Sequence, residues 1–223
     1  MSRFALFIVM LLPVMSSAQS SGLIPYRVGS EWGYADAAMK MIINPEYSTA
    51  RKFSQGLAAV SVGSRFGFID EDGLLITEVV YEEVDDFMNG FAPVAKDGKW
   101  GFINREGIEI IPPRYDWVGV FSDQRAAVVI NQKLGFIDTV GTLVIPMIYD
   151  FGFEDLENEE MISFHEERAR VRLNKKYGFV DPDGIEIVPP SYDFAFPFRD
   201  GSALVEAEGQ EGYIDINGNE FWD

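Results

Sequence analysis

Apolar and polar positions alternate along the chain in short bursts separated by turn residues, and one stretch shows the pattern in full. Ala92, Val94 and their neighbours alternate as a strand, and Asp97-Gly98 supplies the two-residue turn favoured between antiparallel strands. Trp100 to Asn104 is a second strand. Asn104-Arg105-Glu106-Gly107 is a second turn, its glycine placed for the positive φ of a bulged hairpin. Ile108 to Ile111 is a third strand, expected to end at Pro112-Pro113 because proline cannot donate to a ladder. Tyr115 to Phe121 reads as extended or turn-like, with room for a short fourth strand. Helical periodicity is absent, apart from a turn expected around Asp36–Met41.

This burst is copied. Gly33, Gly67, Gly101, Gly135, Gly178 and Gly212 are spaced by 34, 34, 34, 43 and 34 residues, so one unit carries nine extra residues. Other positions keep the same phase. Tyr47, Tyr81, Tyr115, Tyr149 and Tyr192 lie fourteen residues after each glycine, and Phe53, Phe87, Phe121 and Phe198 twenty after; Phe164 joins them once the insertion is subtracted. Ala58/Val60, Ala92/Val94, Ala126/Val128, Ala169/Val171 and Ala203/Val205 close the units.

Strand two predicts how the units pack. Trp100 and Phe102 share one face, Gly101 and Ile103 the other, and both faces are apolar, so each meander must be sandwiched between neighbours. The strand glycine is expected to leave room for an aromatic of the Tyr115 or Phe121 column, and filling that room should cost about 1–3 kcal/mol by overpacking. At the two ends opposite faces change: Glu211 replaces the aromatic in the last unit, while Ala35 replaces the isoleucine or valine of the opposite face and Met39 the turn glycine in the first. The expected fold is therefore all-β, with tandem antiparallel meanders of about 34 residues in an open, solenoid-like array. A small closed β-propeller is the alternative.

The run Phe91-Ala92-Pro93-Val94-Ala95-Lys96-Asp97-Gly98-Lys99-Trp100-Gly101-Phe102-Ile103-Asn104, continuing through Gly107 to Ile111-Pro112-Pro113-Arg114-Tyr115-Asp116, resembles the WG-repeat family of bacterial proteins. The resemblance extends over roughly Leu23 to Asp223, although Leu134, Tyr177 and Glu211 replace the tryptophan. It implies a β-rich repeat, often in secreted proteins. It supplies no shared catalytic residues, so none are carried over.

Composition narrows the chemistry. The 223 residues carry 18 Lys plus Arg against 36 Asp plus Glu, a formal charge of −18, which disfavours nucleic acid and anionic membranes. With no cysteine and a single histidine, thiolate chemistry, disulfides and most zinc sites and hydrolytic triads are excluded. Arg3, the apolar run Phe4–Val14 and Ser16-Ser17-Ala18 have the order of a cleaved secretory signal, too short to span a membrane. Residues 1–18 are thus expected to leave. Residues 19–223 form one repeat domain of about five full units and a terminal partial one, secreted or periplasmic and not inserted in a membrane.

Candidate chemistry is sparse. The Asp/Asn-x-x-Gly turns at Asp70, Asn104, Asp138, Asp181 and Asp215 are expected to be hairpin turns whose side chain bonds its own backbone; two resemble the start of a calcium loop but lack its later ligands. The Tyr-Asp pairs at Tyr115, Tyr149 and Tyr192 are expected to place tyrosine in the core, and His165 to lie at the surface. The insertion near 152–161 is acidic, with Glu154, Asp155, Glu157, Glu159 and Glu160. Arg168, Arg170 and Arg172 follow it at alternate positions and should share a strand face. These eight residues are the candidate partner-binding set. The expected function is a non-catalytic module that binds a protein or glycan through its loops without any cofactor; the alternative is an envelope carbohydrate hydrolase using loop carboxylates.

Overall fold

A computed structural model describes residues 22–152 and 159–222. Among these, six small antiparallel sheets follow one another along the chain. The first holds β1 (Ile24–Val28), β2 (Glu31–Ala35) and β3 (Met41–Tyr47). The second holds β4 (Thr49–Ala50), β5 (Leu57–Val62) and β6 (Arg65–Asp70), extended by bridges from Phe66 to Tyr81 and from Ile69 to Leu75. The third runs β7 (Glu83–Val84), β8 (Phe91–Lys96), β9 (Lys99–Asn104) and β10 (Glu109–Tyr115). The fourth runs β11 (Trp117–Val118), β12 (Arg125–Ile130), β13 (Lys133–Asp138) and β14 (Leu143–Asp150). The fifth has β15 (Phe164–His165), β16 (Arg168–Leu173), β17 (Lys176–Val180) and β18 (Glu186–Tyr192). The sixth has β19 (Phe194–Ala195), β20 (Ser202–Ala207), β21 (Gln210–Asp215) and β22 (Glu220–Trp222). The only described helical segment is a single 3₁₀ turn, Glu159–Ile162, in the insertion.

The expected meander is present, with two corrections to its outline. Its short extra strand does not close the sheet before it: Trp117–Val118 pairs with Val129 and Val128 and so opens the next sheet. Nor do prolines end strand three. β10 passes through Pro112 and Pro113, with Ile111 opposite Phe102 and Tyr115 opposite Trp100, and the register shift between them marks a bulge. This strand lies at the edge of its sheet, where a missing N–H removes no ladder bond.

That bulge also explains the strand glycines. A methyl group on Gly101 would collide with the Ile111 carbonyl oxygen and lie 2.6 Å from the Pro113 nitrogen. Gly33, Gly135 and Gly178 face the equivalent carbonyls of Ile43, Ile145 and Val188, and Gly67 faces that of Glu78, one position further along. Backbone, not the expected aromatic, occupies the space, because the bulge folds strand three over strand two. Only Gly212, where β22 pairs without a bulge, lies under a ring, that of Trp222.

Both faces of each internal sheet are covered. The face of the third sheet carrying Phe102, Ile111 and Tyr115 packs on Ala126, Val128 and Ile137 of the fourth. The opposite face, with Ala92, Val94 and Ile103, packs on Phe68 and Tyr81 of the second. In every junction an aromatic of strand two meets the next unit's phenylalanine: Tyr34–Phe53, Phe68–Phe87, Phe102–Phe121, Phe136–Phe164 and Phe179–Phe198, with ring centroids 4.8, 5.0, 4.8, 5.0 and 4.9 Å apart. Each buried ring contributes roughly 1.5–3 kcal/mol.

The array is open. Tyr34, Phe68, Phe102, Phe136 and Phe179 are at most 1% exposed, whereas Tyr213, their counterpart in the sixth sheet, is 53% exposed. At the other end Ile24 is 43% exposed. A ring closed by these two sheets would bury both.

Candidate functional site

The strongest candidate grows from a position the repeat leaves free. Sixteen residues after each marker glycine stand Thr49, Glu83, Trp117, Phe151 and Phe194. A fold that accepts threonine and glutamate there does not require tryptophan. Trp117 is half-buried, held in the ladder opposite Val129. Its ring lies across Gly119, where a Cβ would come within 3.1 Å of it, so glycine lets the indole settle against the backbone. Phe151 stands beside it, ring centroids 5.2 Å apart and planes 30° from parallel. These two rings, with Val129 and the Asn131-Gln132 hairpin tip, line a cleft of about 450 Å³. The tip is rigidly set: Asn131 and Gln132 both have positive φ, 51° and 60°, as a two-residue hairpin turn needs. Asn131 N–H donates to Asp116 at 2.7 Å and Phe151 N–H donates to the Gln132 carbonyl at 3.1 Å. The Asn131 and Gln132 side chains are exposed at the rim.

Asp116, the acid of the cleft, is already engaged. The Lys99 ammonium binds one carboxylate oxygen and the Asn131 amide the other, and the two together hold its pKa below the ordinary value. The same clamp recurs through the array. Asp150 takes Lys133 at 2.6 Å and the Asn174 amide, Asp193 takes Lys176 and the Glu208 amide, and Glu82 takes Arg65 and the Gly98 amide. An acid that fastens one unit's lysine or arginine to the next unit's hairpin is structural. The partner tyrosines are buried as expected, and Tyr81, Tyr149 and Tyr192 donate to Glu109, Glu186 and Glu220 of the following unit. One described carboxylate shifts the other way: partial burial raises Asp85, with Arg51 opposing and Asp86 adding to the shift.

Of the residues singled out from the sequence, Glu154, Asp155 and Glu157 lie outside the described residues. Glu159 and Glu160 sit in the 3₁₀ turn. The three arginines are on one strand, but they do not form an exposed anion-binding stripe. Arg170 is only 5% exposed, its guanidinium donating to the Met161 and Ala195 carbonyls and lying 4.6 Å from the Tyr177 ring centroid. Its strand face is the junction with the sixth sheet, so this cation is packed inside. Arg168 donates twice to the Ile216 carbonyl, at 3.1 and 3.0 Å, and Arg172 approaches Tyr177. His165 is half-buried and pairs with Arg168 in the ladder. In the Asp-x-x-Gly turns the first side chain accepts from its own backbone, as Asp70 does from the Asp72 and Leu74 amides at 3.0 and 2.8 Å. No group of three or more potential metal-ligating side chains occurs among the described residues. Trp117 drew no notice in the sequence because the Trp-Gly pairs dominate it; its departure from the Thr and Glu of its column was the available signal.

Six short meanders, each covering its neighbour, define a β-repeat protein of propeller-like sheets. The model for the WG containing repeat matches residues 32–65, 66–100, 100–133, 135–177 and 177–210, and the chain belongs to that family. Among solved structures, it is similar to a crystal structure of a eukaryotic initiation factor at 14% identity, with a TM-score of 0.50 over 89% of this chain and 60% of that one. It is also similar to Hsv2p of Kluyveromyces lactis, at 10% identity and a TM-score of 0.45 over 87% of this chain and 71% of that one. At these identities the likeness to the initiation factor speaks to fold alone. No curated protein matches the chain.

Proposed function

We propose that this protein is an exported, non-catalytic binding module that holds a neutral glycan in the Trp117–Phe151 cleft. The observation that carries the proposal is the cleft itself: an indole cradled by Gly119 and flanked by a second ring, at a position where two other units have threonine and glutamate and two have phenylalanine. Aromatic faces receive the apolar C–H face of a sugar ring, while the amides of Asn131 and Gln132 at the rim are suited to its hydroxyls. A formal charge of −18 repels acidic polymers and favours uncharged ones. The signal-like segment Arg3–Ala18 supports export. The hydrolase alternative finds less support, because the cleft's carboxylate is clamped in its ionised form and a general acid needs a raised pKa.

The test is titration of the protein with gluco-oligosaccharides and N-acetylglucosamine oligomers, read by tryptophan fluorescence and calorimetry. Saturable binding should be lost in Trp117→Ala, partly kept in Trp117→Phe and unchanged in Val140→Ala, a surface control. Binding that survives Trp117→Ala, or no binding to any oligomer, overturns the glycan proposal.

A further inference from the structure

Among the described residues, the outer faces of the first and sixth sheets are complementary. In the sixth sheet Leu204, Tyr213 and Phe221 are cross-strand neighbours on the face that, in every earlier sheet, receives the following unit. Tyr213 and Phe221 are 53% and 59% exposed. Beside Tyr213 a cleft of about 430 Å³ is walled by Phe196, Leu204, Pro197 and Met161. In five junctions the equivalent aromatic meets a phenylalanine from the next unit; Tyr213 meets none among the described residues.

The opposite face of the first sheet is apolar too. Ala35 is not an eroded position, as the sequence suggested, because Ile24 is its cross-strand partner. The pair reverses Ala58–Ile69, Ala92–Ile103 and Ala126–Ile137, and so keeps the same side-chain volumes. Tyr26, opposite Gly33, stands where the other units have Val60, Val94, Val128, Val171 and Val205. In the third sheet that column sits in the core that also holds the phenylalanine plugging the junction against the preceding unit's ring, Val94 with Phe87. The first sheet therefore carries an aromatic ring in the column beside the plug.

We propose that copies of this chain associate head to tail, the first sheet of one docking on the sixth sheet of another with Tyr26 entering the cleft beside Tyr213. The contact repeats the geometry of the internal junctions. It is heterologous, so it leaves a free face at each end and extends into short chains. Glu206 and Glu211, paired across the sixth sheet, put like charges at its rim. Two copies, each with a formal charge of −18, repel at low salt, so association is promoted by salt.

Sedimentation velocity and light scattering across a concentration series test this. The average mass of the wild type should rise with concentration, more steeply at about 1 M salt, where the screening length is about 3 Å. Tyr213→Glu and Tyr26→Glu should each stay monomeric. Mixed in equal amounts, they should double in mass, since one intact Tyr26 face and one intact Tyr213 face remain. Circular dichroism checks folding, and Phe221→Glu stands in should Tyr213→Glu unfold. A wild type that is monomeric at every concentration and salt overturns the proposal, as does a mixture that does not form dimers.

Discussion

Gly101→Ala isolates the part of the fold that the sequence explains least. Gly101 has no positive φ and lies within β9, so the backbone tolerates alanine there. On conformational grounds alone the change should stabilise by about 0.4–1 kcal/mol, because the unfolded chain loses freedom. The structure predicts the reverse sign. The new methyl would run into the Ile111 carbonyl and sit 2.6 Å from the Pro113 nitrogen and 2.8 Å from the Pro112 carbonyl carbon, all of them backbone atoms. No rotamer change relieves that contact; β10 must move, and with it the Tyr115 and Ile111 side chains in the core against the fourth sheet. Overpacking of this kind costs about 1–3 kcal/mol, at the upper end when backbone must shift. Urea unfolding followed by tryptophan fluorescence reads the difference directly. Gly67→Ala is the internal comparison, since its nearest carbonyl, that of Glu78, is 2.9 Å away and a smaller movement suffices. The expected order of stability is wild type, then Gly67→Ala, then Gly101→Ala. A Gly101→Ala protein as stable as the wild type, or more so, refutes the bulge as the reason for the glycine.

Met39 replaces the turn glycine of the first unit and keeps its left-handed conformation, φ 63°, with its side chain exposed. Met39→Gly should raise stability by roughly 0.5–1 kcal/mol, the strain of about 1–2 kcal/mol less the added freedom of the unfolded chain, and a lower thermal midpoint would count against this. Alkaline pH should also unfold the protein. Burial, and then the neighbouring Glu186, raise Tyr149 to about 12; burial and then Glu46 raise Tyr47 to about 12, and Tyr34, Tyr81 and Tyr192 rise as well. The folded state favours the neutral phenol, so this stability is present below the unfolded value of about 10 and lost as pH climbs towards 12. Tyrosinate absorbance and circular dichroism should change together over that range; phenols that ionise near pH 10 without unfolding would contradict it.

The repeat length, the hairpin turns and the two-sided burial were legible because each depends on local alternation: Phe102 and Ile103 both reach 0% exposure, as opposite faces of one strand in a sandwich should. What escaped depends on which strand lies at an edge. Pro112-Pro113 ends a central strand but not the edge strand β10, and only the sheet order distinguishes the two. Gly101 announced a close approach without revealing that a carbonyl makes it. Arg170 carries the same charge as Arg168 and looks equally exposed by its spacing; the Met161 and Ala195 carbonyls that accept it come from 9 and 25 residues away.

These distinctions bear on where function can reside in such an array. Positions that face a neighbouring sheet are fixed in kind: every unit but the last buries its Tyr34, Phe68, Phe102, Phe136 or Phe179 ring, and the Asp116-type clamps tie the hairpins of the third to sixth sheets to the unit before. A change there is felt as lost packing across a junction, because no unit shelters its own apolar surface. Freedom is left sixteen residues after each marker glycine, where Thr49, Glu83, Trp117, Phe151 and Phe194 occupy one column, and at the two outer faces that no described sheet covers. The Trp117 cleft belongs to the first kind and the Tyr26 and Tyr213 faces to the second. Since they lie on different sheets and share no residue, Trp117→Ala should abolish glycan binding and leave self-association intact, while Tyr213→Glu does the converse. Loss of both properties in either variant would mean that the sheets respond as one cooperative body, and that the junctions rather than the free positions set what the protein does.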